Sequence, residues 1–202
     1  MNSDLQLLHT WCCNNSLTIN PSKTQSMLFS PKSSNVCINN NSVRLSDQSI
    51  NNTSQFKFLG ITIDNSFTWK EHLNDLTIKM GQGGYALNKM KHVVSKHILA
   101  KAYHAFIQSH INYGCILWGN TFTTYLKPII TLQKRAIRTI TKSEYNAHTK
   151  PLFKKLELLP IRSFHELQRA IFSYKLNNSQ LPEINKTLSS PIIPKRREQL
   201  LT

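Results

Sequence analysis

Residues 56–64 read FKFLGITID: a short apolar run, a single glycine, and a second run that ends on an acid. Runs of this length, rich in Phe, Ile and Thr and broken at Leu59-Gly60, predict two strands folded back on one another as a hairpin. Gly60 lets the backbone turn and approach a neighbour closely. The hairpin divides the chain. Before it lies an asparagine-rich stretch, and beyond it the hydrophobic period changes from two to 3.6 for more than a hundred lysine-studded residues. This pattern predicts an α+β protein: an N-terminal helix and a small antiparallel hairpin region over 1–69, a mostly α-helical bundle over 70–180, and a basic, flexible tail over 181–202.

Composition narrows the function. The chain has 202 residues, 40% of them hydrophobic, which is enough to bury a core. Its 25 Lys and Arg stand against 10 Asp and Glu, for a formal charge of +15. Twenty-one of these bases and seven of the acids follow Trp69, so the first 69 residues carry about +1 and the rest about +14. A charge excess segregated into one half points to a polyanion partner, because phosphate neutralisation favours clustered Lys and Arg. The alternative is a generally solvated basic surface. Cys12, Cys13, Cys37 and Cys115 form no C-x-x-C pair and read as reduced thiols of an intracellular protein, nuclear or cytoplasmic. The eight histidines contain no H-E-x-x-H, so no metal site is expected. There is no apolar run of membrane-spanning length and no signal-peptide pattern, which excludes membrane and secreted readings.

Upstream of the hairpin, Ser3 or Asp4 is placed to cap a helix with Leu5, Leu8, His9 and Cys12 on one face, stopping near Asn14-Asn15-Ser16. A turn at Pro21 and a strand over QSMLFS (25–30) follow. Two further strands, Val36 to Ile38 and Val43 to Leu45, pair across a turn at Asn40 and Asn41, or the region is a low-complexity loop. Downstream, Phe67, Leu73, Leu76 and Met80 fit a helix that Gly81, Gly83 and Gly84 interrupt; GQGG has no preceding strand or following Lys-Ser/Thr and is not a phosphate loop. From Ser95, the residues Ile98, Leu99, Ala102, Ala105, Phe106, Ser109 and Tyr113 share a face on a helix closed by Gly114. Further helices are predicted over Tyr125 to Lys142, with Pro128 in its first turn, Pro151 to Leu158, and Ile161 to Leu176. In the first of these, Leu126, Ile129, Ile130, Ala136, Ile137 and Ile140 gather in one apolar sector. Lys127, Lys134, Arg135, Arg138 and Lys142 gather in another with no acid among them, the footprint of a surface that tracks a phosphate backbone.

Four segments carry a family resemblance in order: DLQLLHTWCCNNSLTINPSKTQSMLFS (4–30), FKFLGITIDNSFTWKEHL (56–73), HINYGCILWGN (110–120) and LQKRAIRTIT (132–141). Together they resemble the distal part of reverse transcriptases encoded by non-LTR retrotransposons of the jockey-like kind, from Asp4 to about Leu176. The resemblance implies that the first segment ends a polymerase palm, that Phe58, Leu59 and Gly60 form the primer-grip turn, and that the later helices form the thumb and connection. It also implies that Lys23 lies on the pyrophosphate side, where an ammonium can donate a proton. The family's Ala-Asp-Asp strand has no counterpart here: Asp4, Asp47, Asp64 and Asp75 offer no adjacent pair to hold two metals.

The expectation is therefore a fragment of an RNA-directed DNA polymerase, inactive alone, with the fingers and most of the palm preceding Met1. Its partners would be an RNA template and DNA primer, or their hybrid, together with the missing fingers and palm of the same polyprotein. No cofactor is expected in this chain, and Mg²⁺ only in a full-length polymerase. The alternative is a stand-alone basic helical nucleic-acid-binding module derived from such an element.

Overall fold

The computed structural model of the protein describes residues 2–29, 43–45 and 48–180. The predicted strand at Val36 to Ile38, its turn at Asn40 and Asn41, Cys37 and the predicted tail 181–202 lie outside the described residues. The architecture is α+β. A helix, α1 (Asn2–Asn14), precedes six short strands: β1 (Gln25–Ser26), β2 (Arg44–Leu45), β3 (Gln48–Ser49), β4 (Asn51–Asn52), β5 (Gln55–Phe58) and β6 (Ile61–Asp64). The helices α2 (Lys70–Met90), α3 (Lys96–Tyr103), α4 (Ser109–Asn112), α5 (Cys115–Trp118), α6 (Thr123–Thr141), α7 (Thr149–Lys155) and α8 (Ile161–Asn177) follow.

The hairpin forms where the sequence predicts it. β5 and β6 pair antiparallel in the register Gln55 with Asp64 and Phe58 with Ile61, leaving Leu59 and Gly60 as a two-residue turn. Both turn residues have positive φ, 46° and 81°, which matches the twist of the flanking strands. The other strands depart from expectation. Among the described residues of QSMLFS only Gln25 and Ser26 pair, in parallel with Asn51 and Asn52. Arg44 and Leu45 pair antiparallel with Gln48 and Ser49. These asparagine- and serine-rich segments present few apolar side chains to a common face, so each pairing is short. At the N-terminus the helix already includes Asn2, which puts Ser3 and Asp4 in its first turn and not at a capping position. On the predicted apolar face Cys12 is buried and Leu5 and His9 are half-buried, while Leu8 and the neighbouring Leu7 and Trp11 are exposed.

The helical part is built on one continuous core. Leu73, Leu76, Met80 and Leu87 of α2 meet Leu99 and Tyr103 of α3 and Leu126, Ile129, Ala136, Ile137 and Ile140 of α6, with Phe153 and Ile161 closing the end. Each fully buried Leu or Ile contributes about 1.5–3 kcal/mol. The predicted interruption at Gly81 to Gly84 is absent, since α2 runs unbroken through all three glycines. Gly83 explains why a helix tolerates them: a Cβ there would stand 2.7 Å from the Phe106 carbonyl oxygen and 3.0 Å from its Cβ. It is a point of close approach between α2 and the next helical run.

That run also differs from expectation. Between α3 and α4, His104–Gln108 form a π turn, and the buried positions are Leu99, Tyr103, Ile107 and Ile111. Ile98, Phe106 and Tyr113 of the predicted face are 46%, 44% and 53% exposed, and Ala105 and Ser109 are exposed as well. A stripe with four-residue spacing outruns a straight α-helix by about 40° per step. The wider π turn takes back part of that drift and keeps the stripe on the core. In α6, Leu126, Ile129, Ala136, Ile137 and Ile140 are buried as predicted, and Ile130 is half-buried. The helix begins two residues early at Thr123, where Tyr125 meets the Phe122 ring edge-on with centroids 6.0 Å apart, so Pro128 lies inside the helix beyond its first turn.

The glycines of α2 give a direct test. Gly83→Ala forces a Cβ against main chain and is expected to lower stability by about 1–3 kcal/mol. Gly84→Ala, where nothing lies within 4 Å of the added Cβ, is expected to raise it by up to about 1 kcal/mol. Chemical denaturation of the two variants beside the parent reads both signs.

Candidate nucleic-acid interface

Two surfaces carry the residues that the sequence singles out. The first is the hairpin tip. Phe58 and Leu59 are 56% and 73% exposed, so the turn presents apolar side chains to solvent. Its backbone is held from behind: the Tyr113 hydroxyl donates to the Leu59 carbonyl, and a Cβ on Gly60 would sit 3.6 Å from the Tyr113 ring. Gly114 is the second close approach. With φ of 64°, it lets α5 start directly against β6, where a Cβ would fall 2.5 Å from Ile61 Cδ1. Trp118 is fully buried, donates from its indole N–H to the Tyr113 carbonyl at 3.1 Å, and lies 6.0 Å from the His72 ring. The segments around Phe56 and Tyr113, which stand apart in sequence, form one joint.

The other end of the hairpin is tied by Asp64. Its carboxylate accepts from the Thr68 N–H and hydroxyl, both at 2.9 Å, and from the Trp69 N–H at 2.8 Å. These donors lie in the turn just ahead of α2, which Trp69 enters with φ of 61°. Burial raises the Asp64 pKa, but the hydrogen bonds from Thr68 and Trp69 outweigh it and leave the group below its ordinary 3.8. Thr121 adds a clasp, its hydroxyl donating to the Thr68 carbonyl at 2.7 Å. Burial pushes the His72 pKa down, and its Nδ1 accepts from the Thr62 N–H at 3.4 Å. His165, packed so closely on Gly119 that a Cβ there would lie 2.5 Å from its Cδ2, is likewise lowered by burial.

The second surface is the outer side of α6. Lys127, Lys134, Arg135 and Lys142 are exposed, and Arg138 is half-buried. Arg138, Arg135 and Lys142 line a groove of about 790 Å³ between α2 and α6, whereas Lys127 and Lys134 lie on the same helix outside it. One Arg138 nitrogen, Nε, donates to the Ala147 carbonyl at 2.9 Å, so this residue also anchors the loop after α6. Lys142 closes the helix with φ of 54°. The groove residues that escaped the sequence reading include Tyr85, Asn88, Lys91, His92 and Tyr145. Four of them lie on or just beyond the second half of α2, a face that cannot be seen once the helix is broken at its glycines. Lys23 ends a separate turn, Pro21–Lys23, in which the Asn20 side chain accepts from the Ser22 N–H; it is exposed and does not line the groove. Among the described residues no three His, Cys, Asp or Glu side chains converge on one point. No described helix is long and apolar enough to cross a membrane.

No protein-family model matches the chain, and no solved structure matches it. Two Drosophila melanogaster proteins do. The chain is 29% identical over 158 residues to the probable RNA-directed DNA polymerase from transposon BS, covering 76% of this chain and 17% of that protein. It is 24% identical over 148 residues to the probable RNA-directed DNA polymerase from transposon X-element, covering 69% of this chain and 16% of that protein. The likeness is thus to transposon RNA-directed DNA polymerases. The matched region amounts to about a sixth of the length of these curated relatives.

Asp64 ties the base of the hairpin to the turn that opens α2. Asp64→Asn has one acceptor oxygen for three donors and is expected to cost about 1 kcal/mol. A carboxylate with a depressed pKa stabilises fully above 3.8 and loses that contribution as pH falls through the lowered native value. Thermal melting points from about pH 6 to about pH 3 should therefore fall less steeply in the Asn variant than in the parent.

Proposed function

We propose that the chain is the palm-end and thumb part of an RNA-directed DNA polymerase of a non-LTR retrotransposon, making primer-template contacts without carrying the catalytic aspartates. The observation that supports this best is the acid-free basic face of α6, in a chain that also carries a hairpin tip whose backbone Tyr113 holds. On this reading Leu59 and Gly60 meet the primer end, while Lys127, Lys134, Arg135 and Lys142 follow the phosphates of an RNA–DNA hybrid or duplex. Leu59 fits the first role because a non-glycine residue at positive φ is retained where the surroundings hold it in place. The remaining partners are the fingers and catalytic palm of the same polyprotein. The division at residue 69 then separates the palm end from the thumb.

A second reading, a stand-alone nucleic-acid-binding module, draws on one observation: α2, α3, α6, α7 and α8 close a core among themselves. Both readings require phosphate binding through α6, and only catalysis in a larger assembly separates them.

Fluorescence anisotropy across a salt series tests the shared claim. Log affinity for a labelled primer-template should fall with log salt by about 0.9 per phosphate contact. Changing Lys127, Lys134 and Arg135 together to Gln keeps helix propensity and spares the Arg138 anchor. The slope should drop by about two to three, roughly one per lost contact, with circular dichroism unchanged. An unchanged slope would mean that the face is only a soluble surface. Template-dependent nucleotide incorporation by the chain alone with Mg²⁺ would overturn the non-catalytic assignment.

A further inference from the structure

The groove between α2 and α6 is more than an extension of the basic face. Its α6 wall carries Arg135, Arg138 and Lys142, and its far wall carries Lys91 and His92 beyond the end of α2. No acid lines it. Two aromatic rings rise at it from different elements, Tyr85 on α2 and Tyr145 on the loop after α6, and they are 65% and 77% exposed. Neither ring is buried in the core: the Lys89 ammonium lies over one face of Tyr85, 5.4 Å from its centroid, and adds a further cation beside the ring. The loop carrying Tyr145 is tied to α6 by the Arg138 bond to Ala147. The α2 wall is hollowed by Gly81 and Gly84, neither of which would have any atom within 4 Å of an added Cβ. Gly83 is explained by helix packing, and these two are not; what they do is keep the groove open.

We infer that this groove binds a single-stranded segment of RNA or DNA, with bases stacked on Tyr85 and Tyr145 and phosphates held by Arg135, Lys142 and Lys91. The inference rests on the nucleic-acid reading above and deepens it by separating two surfaces. A volume of about 790 Å³ is that of a ligand-sized recess. A duplex is a rigid convex rod with its base faces hidden in the stack. It can lie along Lys127 and Lys134 but offers no free base face for a tyrosine ring to stack on. A single strand has exposed base faces and a backbone that bends into a recess, and stacking platforms flanked by cations are how such strands are held. Asn88, with both a donor and an acceptor in its amide, sits in the same groove and can meet a base edge.

The test uses the full chain with two fluorescent probes, an oligouridylate and a blunt duplex, by anisotropy at one fixed salt concentration. Tyr85→Leu and Tyr145→Leu are each expected to weaken oligouridylate binding about tenfold and to leave duplex binding within about twofold. Gly84→Met should do the same by filling the recess, and its better helix propensity guards against unfolding. The converse variant, Lys127→Gln with Lys134→Gln, should weaken duplex binding and spare the oligouridylate. If the tyrosine and Gly84 variants keep full affinity for oligouridylate, the inference is wrong while the basic face stands. Duplex binding without oligouridylate binding has the same meaning, and binding of neither probe overturns both readings. Displacement of the oligouridylate by polyglutamate as readily as by unlabelled oligouridylate would reduce the groove to a general anion site and also overturn the inference.

Discussion

The helical part is organised around a buried amide. Gln133 is 1% exposed at the centre of the apolar stripe of α6, and every hydrogen-bonding group on its side chain is used. Its nitrogen donates to the Tyr103 hydroxyl and to the Leu159 carbonyl, both at 3.1 Å, and its oxygen accepts from the Ile161 N–H at 3.1 Å. Tyr103 passes the chain on to Gln108 at 3.0 Å, and Gln108 to Asn112 at 2.8 Å. Burial raises the Tyr103 phenol to about 12, so it remains a donor throughout the physiological range. One polar line therefore joins the start of α8, the middle of α6 and the π turn. Each group left unpaired by its loss would cost about 1–3 kcal/mol, which makes the relative placement of three helices depend on a single residue.

The hairpin depends on that helical body in turn. It contributes little apolar surface: all four residues of β5 are exposed and those of β6 are half-buried. What fixes it is a set of specific contacts, with Tyr113 and Gly114 at the tip and Asp64 and Thr121 at the base. The tip is consequently positioned by α4 and α5 more than by its own strands. Any ligand met by Leu59 is presented in a frame shared with the basic face of α6, because both are referred to the same core.

How far this was legible in the sequence follows from the physics of each element. The hairpin could be read because a two-residue turn between β-prone runs is a local signal. The apolar sector of α6 could be read because its helix is regular. Gln133 could have been noticed as a polar residue in the middle of that sector, but its partners lie 26 to 30 residues away and leave no local trace. Of the buried stripe, Leu99 was read correctly, whereas Tyr103, Ile107 and Ile111 were missed because a π turn changes the period within the helix. The largest loss came from the glycines. Propensity alone breaks α2 at Gly81 to Gly84, and with it goes the face bearing Tyr85 and Asn88, so half of the groove could not be assembled.

The same glycines say something about how the protein acquires its shape. Three glycines within four residues weaken a helix by up to about 1 kcal/mol each relative to alanine, so α2 has little helicity of its own in that stretch. Local order there must be supplied by α6 and by the run that follows it, through Met80, Gly83 and Leu87. The middle of α2 is thus a helix completed by its neighbours, one that consolidates late as the chain folds and opens early in amide exchange. A groove wall made in this way is the softest part of an otherwise well-packed body, and the side of the recess that can adjust to what enters it.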